Sequence, residues 1–118
     1  MIKYGLAALF IAMAAPAQAD QTARGKELYA ANCAECHGAD GRGGTGYAYP
    51  IWGPQTQIQK YQTAQGLFEY MQYLMPFDDP TKVTDEQKWD IVAYMLANHG
   101  AAVGQTVGPA NGREVPIK

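Results

Sequence analysis

The chain has 118 residues, 47% of them hydrophobic and 17% charged, which fits one globular domain and excludes two. Nine basic residues against eleven acidic ones give a formal charge of −2, so the chain offers no basic footprint for nucleic acid or for anionic lipid.

Met1-Ile2-Lys3 supplies a positive start, Tyr4 to Ala15 is almost wholly apolar, and Ala17-Gln18-Ala19 reads as an A-x-A cleavage site. This pattern predicts a signal peptide over residues 1–19, removed after Ala19, and a periplasmic destination. The apolar run is shorter than the roughly 20 residues of a membrane span, so no stable membrane anchor is expected. What remains, residues 20–118, is small enough that a further source of core is expected beside its own side chains.

Thr22 is a plausible cap for a first helix running to about Cys33, with Leu28, Tyr29 and Asn32 on neighbouring turns. Gly25 inside it costs about 1 kcal/mol against alanine, which points to close approach of another backbone. The helix leads into Cys33-Ala34-Glu35-Cys36-His37, the C-x-x-C-H attachment signature of c-type haem. Two thiols at i and i+3 share one face of a helical turn and can reach two vinyl groups on one porphyrin edge, and the next residue, His37, falls under the iron. Three other readings compete. A thioredoxin-type C-x-x-C needs a β-α-β alternation that the chain lacks. A zinc site would have to use Cys33, Cys36, His37 and His99, a sufficient number without the usual second paired spacing. A chance match would not bring with it an export signal and a glycine-rich loop.

That loop, Gly38 to Gln62, has glycines at 38, 41, 43, 44, 46 and 53 with Pro50 and Pro54, which exclude regular structure over much of it. Wrapping one edge of a cofactor is a sufficient reason for its length. Tyr47, Tyr49, Trp52 and Tyr61 are suited to cover a haem and to donate to its propionates; plain hydrophobic cover with the polar tips in water explains them equally well.

Leu67, Tyr70, Met71 and Leu74 are spaced i, i+3, i+4 and i+7, which predicts a second helix capped by Thr63 and ended by Pro76. Three methionines lie beyond the leader. Met75 is favoured as a second axial ligand because the following proline frees it to turn inward, whereas Met71 and Met95 sit on apolar helix stripes and read as core. Asp78, Asp79, Asp85 and Glu86 form an acidic run. The last two suit a helix start and the first two are candidates for partner docking. Thr84-Asp85-Glu86-Gln87 is a capping box opening a last helix, with Trp89, Val92, Met95 and Leu96 on one stripe and Gly100 placed to end it. His99, at the end of that helix, reads as a solvated imidazole near the negative end of the dipole rather than as an iron ligand. Ala101 to Lys118 has no apolar periodicity and reads as an irregular, mobile tail.

Taken together, Gly25 to Asn32 with Cys33 to Gly38, then Asp40-Gly41-Arg42-Gly43, Met75-Pro76 and Trp89 to Leu96, resemble the class I monohaem c-type cytochromes from Gly25 to about Gly100. The resemblance implies an all-α cytochrome c fold over residues 20–100, with three main helices and long loops wrapped around one covalently bound haem c, followed by the tail 101–118. It implies Cys33 and Cys36 as thioether links, His37 and Met75 as axial iron ligands, Gly25 and Tyr29 meeting the last helix, and the Pro50 carbonyl as acceptor from His37. The stretch Tyr47 to Pro54 is more aromatic than the family pattern. The implied role is an electron carrier rather than an enzyme, with a periplasmic dehydrogenase as donor and another cytochrome or a terminal oxidase as acceptor. Tyr49 to Pro54 and Met75 to Pro80 resemble cytochromes found with bacterial sulfur-compound dehydrogenases. The competing function is a haem enzyme or gas sensor with a displaceable sixth ligand.

Overall fold

A computed structural model describes residues 17–102 and 104–118; the leader expected over residues 1–19 therefore lies outside the described residues except for Ala17, Gln18 and Ala19, which open the first helix. That helix, α1 (Ala17–Asn32), is already under way before Thr22, so Thr22 lies inside it and does not cap it. Alanine and glutamine at 17–19 and 21 are good helix formers, and they outweigh the capping preference of a single threonine. A break at Cys33 (φ −126°) separates α1 from the one-turn α2 (Ala34–His37). The backbone bonds Cys33 N–H to Tyr29 O (2.8 Å) and His37 N–H to Cys33 O (3.0 Å) carry the helical ladder across the break. Gly38, at φ +84°, ends α2 in a conformation that glycine adopts without a steric cost.

α3 (Ala64–Leu74) is capped as its sequence predicts, with the Thr63 hydroxyl accepting from Gly66 N–H at 3.2 Å. α4 (Asp85–Asn98) opens with a complete capping box: Gln87 N–H donates to Thr84 Oγ1 (3.1 Å) and Thr84 N–H to Gln87 Oε1 (2.9 Å). It closes at Gly100 (φ +77°), where Ala101 N–H reaches Leu96 O and Gly100 N–H reaches Ala97 O, the paired bonds of a Schellman end. The described residues are thus all-α, without a strand, apart from short 3-10 turns and one antiparallel bridge between Thr63 and Pro116. None of their helices is long and apolar enough to cross a membrane.

The core forms where α1 crosses α4. A Cβ on Gly25 would collide with the carbonyl oxygen of Asp90, so only glycine lets the two backbones meet there. Tyr29 is buried beside this crossing, with ring centroids 5.1 Å from Trp52 and 5.4 Å from Tyr94, and its hydroxyl donates to Gly38 O at 2.7 Å. One side chain therefore joins α1, α4 and the end of the C-x-x-C-H turn. On the other flank α3 lies against α4, with Phe68 stacked on Trp89 at 4.3 Å and 9°.

The segment 101–118, read from composition as mobile, is packed. Val107, Val115 and Ile117 are buried. Gln21 exchanges two hydrogen bonds with the Val107 backbone (2.8 and 2.9 Å), Ala64 N–H donates to Val115 O, and Ile117 N–H donates to Gln62 O. Gly112 sits so close to Trp89 that a Cβ would lie 2.6 Å from its ring. The segment wraps across the starts of α1 and α3 as a strap. Its apolar residues lack a period because each meets a different element.

Candidate haem site

A cavity of about 640 Å³ opens between α3, α4, the C-x-x-C-H turn and the loop that follows it. Cys33, Cys36 and His37 come to its wall from the α1–α2 turn, Leu67, Met71 and Met75 from α3 and its end, and Ile91 and Met95 from α4. Its lining is predominantly apolar, with Ile51, Ile58, Tyr47, Tyr61 and Tyr70 among the remaining contributors. All four residues that the sequence singles out, Cys33, Cys36, His37 and Met75, lie on this one wall system.

The glycine-rich loop is bent back onto the C-x-x-C-H turn. Tyr47 N–H donates to Cys36 O (3.0 Å), Gly43 N–H to His37 O (3.1 Å) and the Thr45 hydroxyl to Glu35 O (2.9 Å). A Cβ on Gly46 would lie 2.6 Å from Cys36 Sγ and one on Gly44 would lie 2.7 Å from Cys36 O, so the glycines here make room for the turn that carries the thiols. The two cysteines are not joined in a disulfide; Cys33 is half-buried and Cys36 exposed. Burial pushes the Cys33 thiol up to about 11, only partly offset by Lys82.

His37 Nδ1 is buried and has no hydrogen-bond partner. Burial also pushes the His37 imidazolium down, so the ring is held neutral with a lone pair to give. The Pro50 carbonyl, expected as its acceptor, takes the Thr56 hydroxyl at 3.2 Å, and the pairing with His37 is not made. Tyr47 packs on the His37 ring instead, at 5.4 Å.

Met75 occupies the C-cap of α3 with extended backbone (φ −132°, ψ 138°), half-buried, with Pro76 buried next to it. Met71 and Met95 also face the cavity, but both are buried within helices. Of the expected aromatic cover, Tyr47 and Tyr61 line the cavity; Trp52 is buried in the α1–α4 core, and Tyr49 is 68% exposed. Tyr70 joins the wall, 4.9 Å from Tyr61; the sequence placed it only on a helix stripe. His99 is not a solvated imidazole. Its Nδ1 accepts from Gly53 N–H (2.8 Å) and its Nε2 meets Lys118 O (2.7 Å), so it ties the loop and the strap to the end of α4. The four residues of the zinc alternative are therefore not gathered, and no cluster of three or more His, Cys, Asp or Glu exists among the described residues.

These donors fit a haem. The wall offers one neutral imidazole, soft thioethers and two thiols, in an apolar cleft large enough for a flat macrocycle, and an Nδ1 that is buried while the opposite ring nitrogen is unclaimed.

Comparison with known proteins places the chain. Residues 20–95 match the family described as cytochrome C oxidase, cbb3-type, subunit III. A thiosulfate dehydrogenase of Allochromatium vinosum is 32% identical over 84 residues, 63% of this chain and 30% of that protein. A cytochrome bc1 complex cytochrome c subunit of Corynebacterium diphtheriae is 37% identical over 76 residues, 62% of this chain and 26% of its own length. In the solved thiosulfate dehydrogenase from Marichromatium purpuratum, the similar region has a TM-score of 0.52 at 32% identity, covering 63% of this chain and 17% of that one. The chain thus spans under a third of the length of these relatives. It belongs to the cbb3-type subunit III family of cytochrome c domains, with the all-α cytochrome c fold.

Proposed function

We propose that the chain is a periplasmic one-electron carrier holding a single haem c, with Cys33 and Cys36 as its thioether links and His37 and Met75 as the axial ligands. When bound, the haem supplies reversible one-electron exchange at iron. The protein's own residues do the rest. Burial keeps His37 neutral and able to ligate, and the thioether of Met75, a weak donor, favours the reduced state and so raises the potential. Leu67, Met71, Ile91 and Met95 keep water from that wall. A rim of Tyr73, Leu74 and Phe77, 47–84% exposed beside Met75, gives a redox partner an apolar contact next to the cleft.

The observation that carries this reading is the convergence of two cysteine sulfurs, a neutral imidazole and a thioether on one apolar cavity. The similarity to thiosulfate dehydrogenases favours a sulfur-compound-oxidising dehydrogenase as donor, with another cytochrome or a terminal oxidase as acceptor. The test is the intact mass of protein exported by a host competent in haem attachment. Residues 20–118 plus one haem are expected, and a Cys33→Ala/Cys36→Ala variant should carry none. A disulfide-linked apoprotein would overturn the reading. Rapid carbon monoxide binding by the reduced protein would point instead to a haem enzyme or gas sensor.

A further inference from the structure

Lys88 is the most deeply buried charged side chain among the described residues, 2% exposed on the first turn of α4, and no carboxylate lies within ion-pair distance of it. Its Nζ donates to two backbone carbonyls, Gln72 O at 2.9 Å and Pro80 O at 2.8 Å. Gln72 O belongs to the last turn of α3, whose final carbonyls have no partner within the helix and carry the negative end of the dipole. Pro80 O opens the 3-10 turn Pro80–Lys82 on the far side of the segment 73–79 that includes Met75. Capping α3 would need only the first of these bonds; the second closes the segment.

The other bonds of this segment do not do the same. Lys82 pairs with Asp78 (2.8 Å) and the Asp79 carboxylate accepts from Thr81 N–H (2.9 Å), but these are exposed and begin and end within the returning turn. Gln72 Nε2 donates to Asp85 across to α4 at 3.1 Å, also in solvent. Lys88 is the buried link between the departure of the segment from α3 and its return to α4. Burial pushes its ammonium down, with Asp85 and Asp79 opposing, and the two carbonyls face the charge directly.

We propose that Lys88 is a positioning residue, a buried clasp that fixes residues 73–79 and so holds Met75 over the cavity. The inference rests on the reading of Met75 as an iron ligand, and it assigns to Lys88 the resistance of that ligand to displacement.

The experiment titrates the oxidised holoprotein with free imidazole and follows loss of the far-red iron-to-sulfur absorption band. Wild type, Lys88→Met and Val107→Ala are compared, the last truncating a buried residue of the strap whose backbone bonds Gln21 on α1. Lys88→Met should bind imidazole about tenfold more tightly or better, because opening the segment no longer breaks two charge-assisted bonds. Val107→Ala should lower the melting temperature and leave imidazole affinity within about twofold of wild type, which separates positioning from stability alone. Wild-type affinity in Lys88→Met overturns the proposal, as does an equal gain in Val107→Ala. If Lys88→Met does not accumulate as holoprotein, Lys88→Gln is read by the same criterion. Absence of the band from wild type, with Met75→Ala binding imidazole no more tightly, would instead overturn the Met75 assignment and the clasp with it.

Discussion

The seam between α1 and α4 and the cavity side of the molecule are built on opposite plans. At the seam, Gly25 brings one backbone against the Asp90 carbonyl, Tyr29 is wedged between Trp52 and Tyr94, and its hydroxyl has a partner in Gly38 O. Around the cavity, by contrast, a buried His37 nitrogen has no protein partner, three thioethers line one apolar cleft, and Tyr73, Leu74 and Phe77 stand in solvent. The seam is complete in itself. The other side is completed by a group that fills it, because apolar walls left apart cost stability. The rigid seam therefore serves as the frame on which Cys33, Cys36 and His37 are presented.

The largest effect should come from withholding the haem. Protein made without it should lose most of its helical circular dichroism and its cooperative melt, since the cavity walls then have nothing to pack on. Retention of native helix content would mean that the seam alone suffices to fold the chain. Gly25→Val attacks the seam directly: forcing a branched side chain against Asp90 should cost about 3 kcal/mol or more in chemical denaturation, while an unchanged midpoint would show that the helices can part at little cost. Met71→Ala acts on the cavity wall. Loss of its buried thioether should cost about 2–5 kcal/mol with the haem spectrum unchanged, and a changed spectrum would exchange the roles of Met71 and Met75. Smallest is Thr84→Ala, which removes a solvent-exposed cap and should cost about 1 kcal/mol without touching either region.

The same contrast explains what could be read from the sequence. Signals that act over a few residues were legible: the capping box at Thr84, the terminating Gly100, the C-x-x-C-H spacing, and the demand of Gly25 for a close neighbour. What depended on partners far along the chain was not. The strap is held by Gln21 on Val107 and by Ala64 on Val115, so no local period marks its burial. His99 looked like a helix-end imidazole because Gly53 and Lys118, its partners, lie 46 and 19 residues away. Composition likewise identified an aromatic loop without separating Trp52, which joins the seam, from Tyr47, which joins the cavity. Lys88 carried no signal at all, since an isolated lysine on a helix ordinarily faces water.

An equilibrium redox titration of the wild-type holoprotein and of Met75→Ala tests the central claim most directly. The account predicts one reversible one-electron wave in each, with haem retained in both because its attachment depends on Cys33, Cys36 and His37, and with a clearly lower midpoint in Met75→Ala once the thioether is gone. The same midpoint in both proteins, or no reversible wave in the wild type, would contradict it.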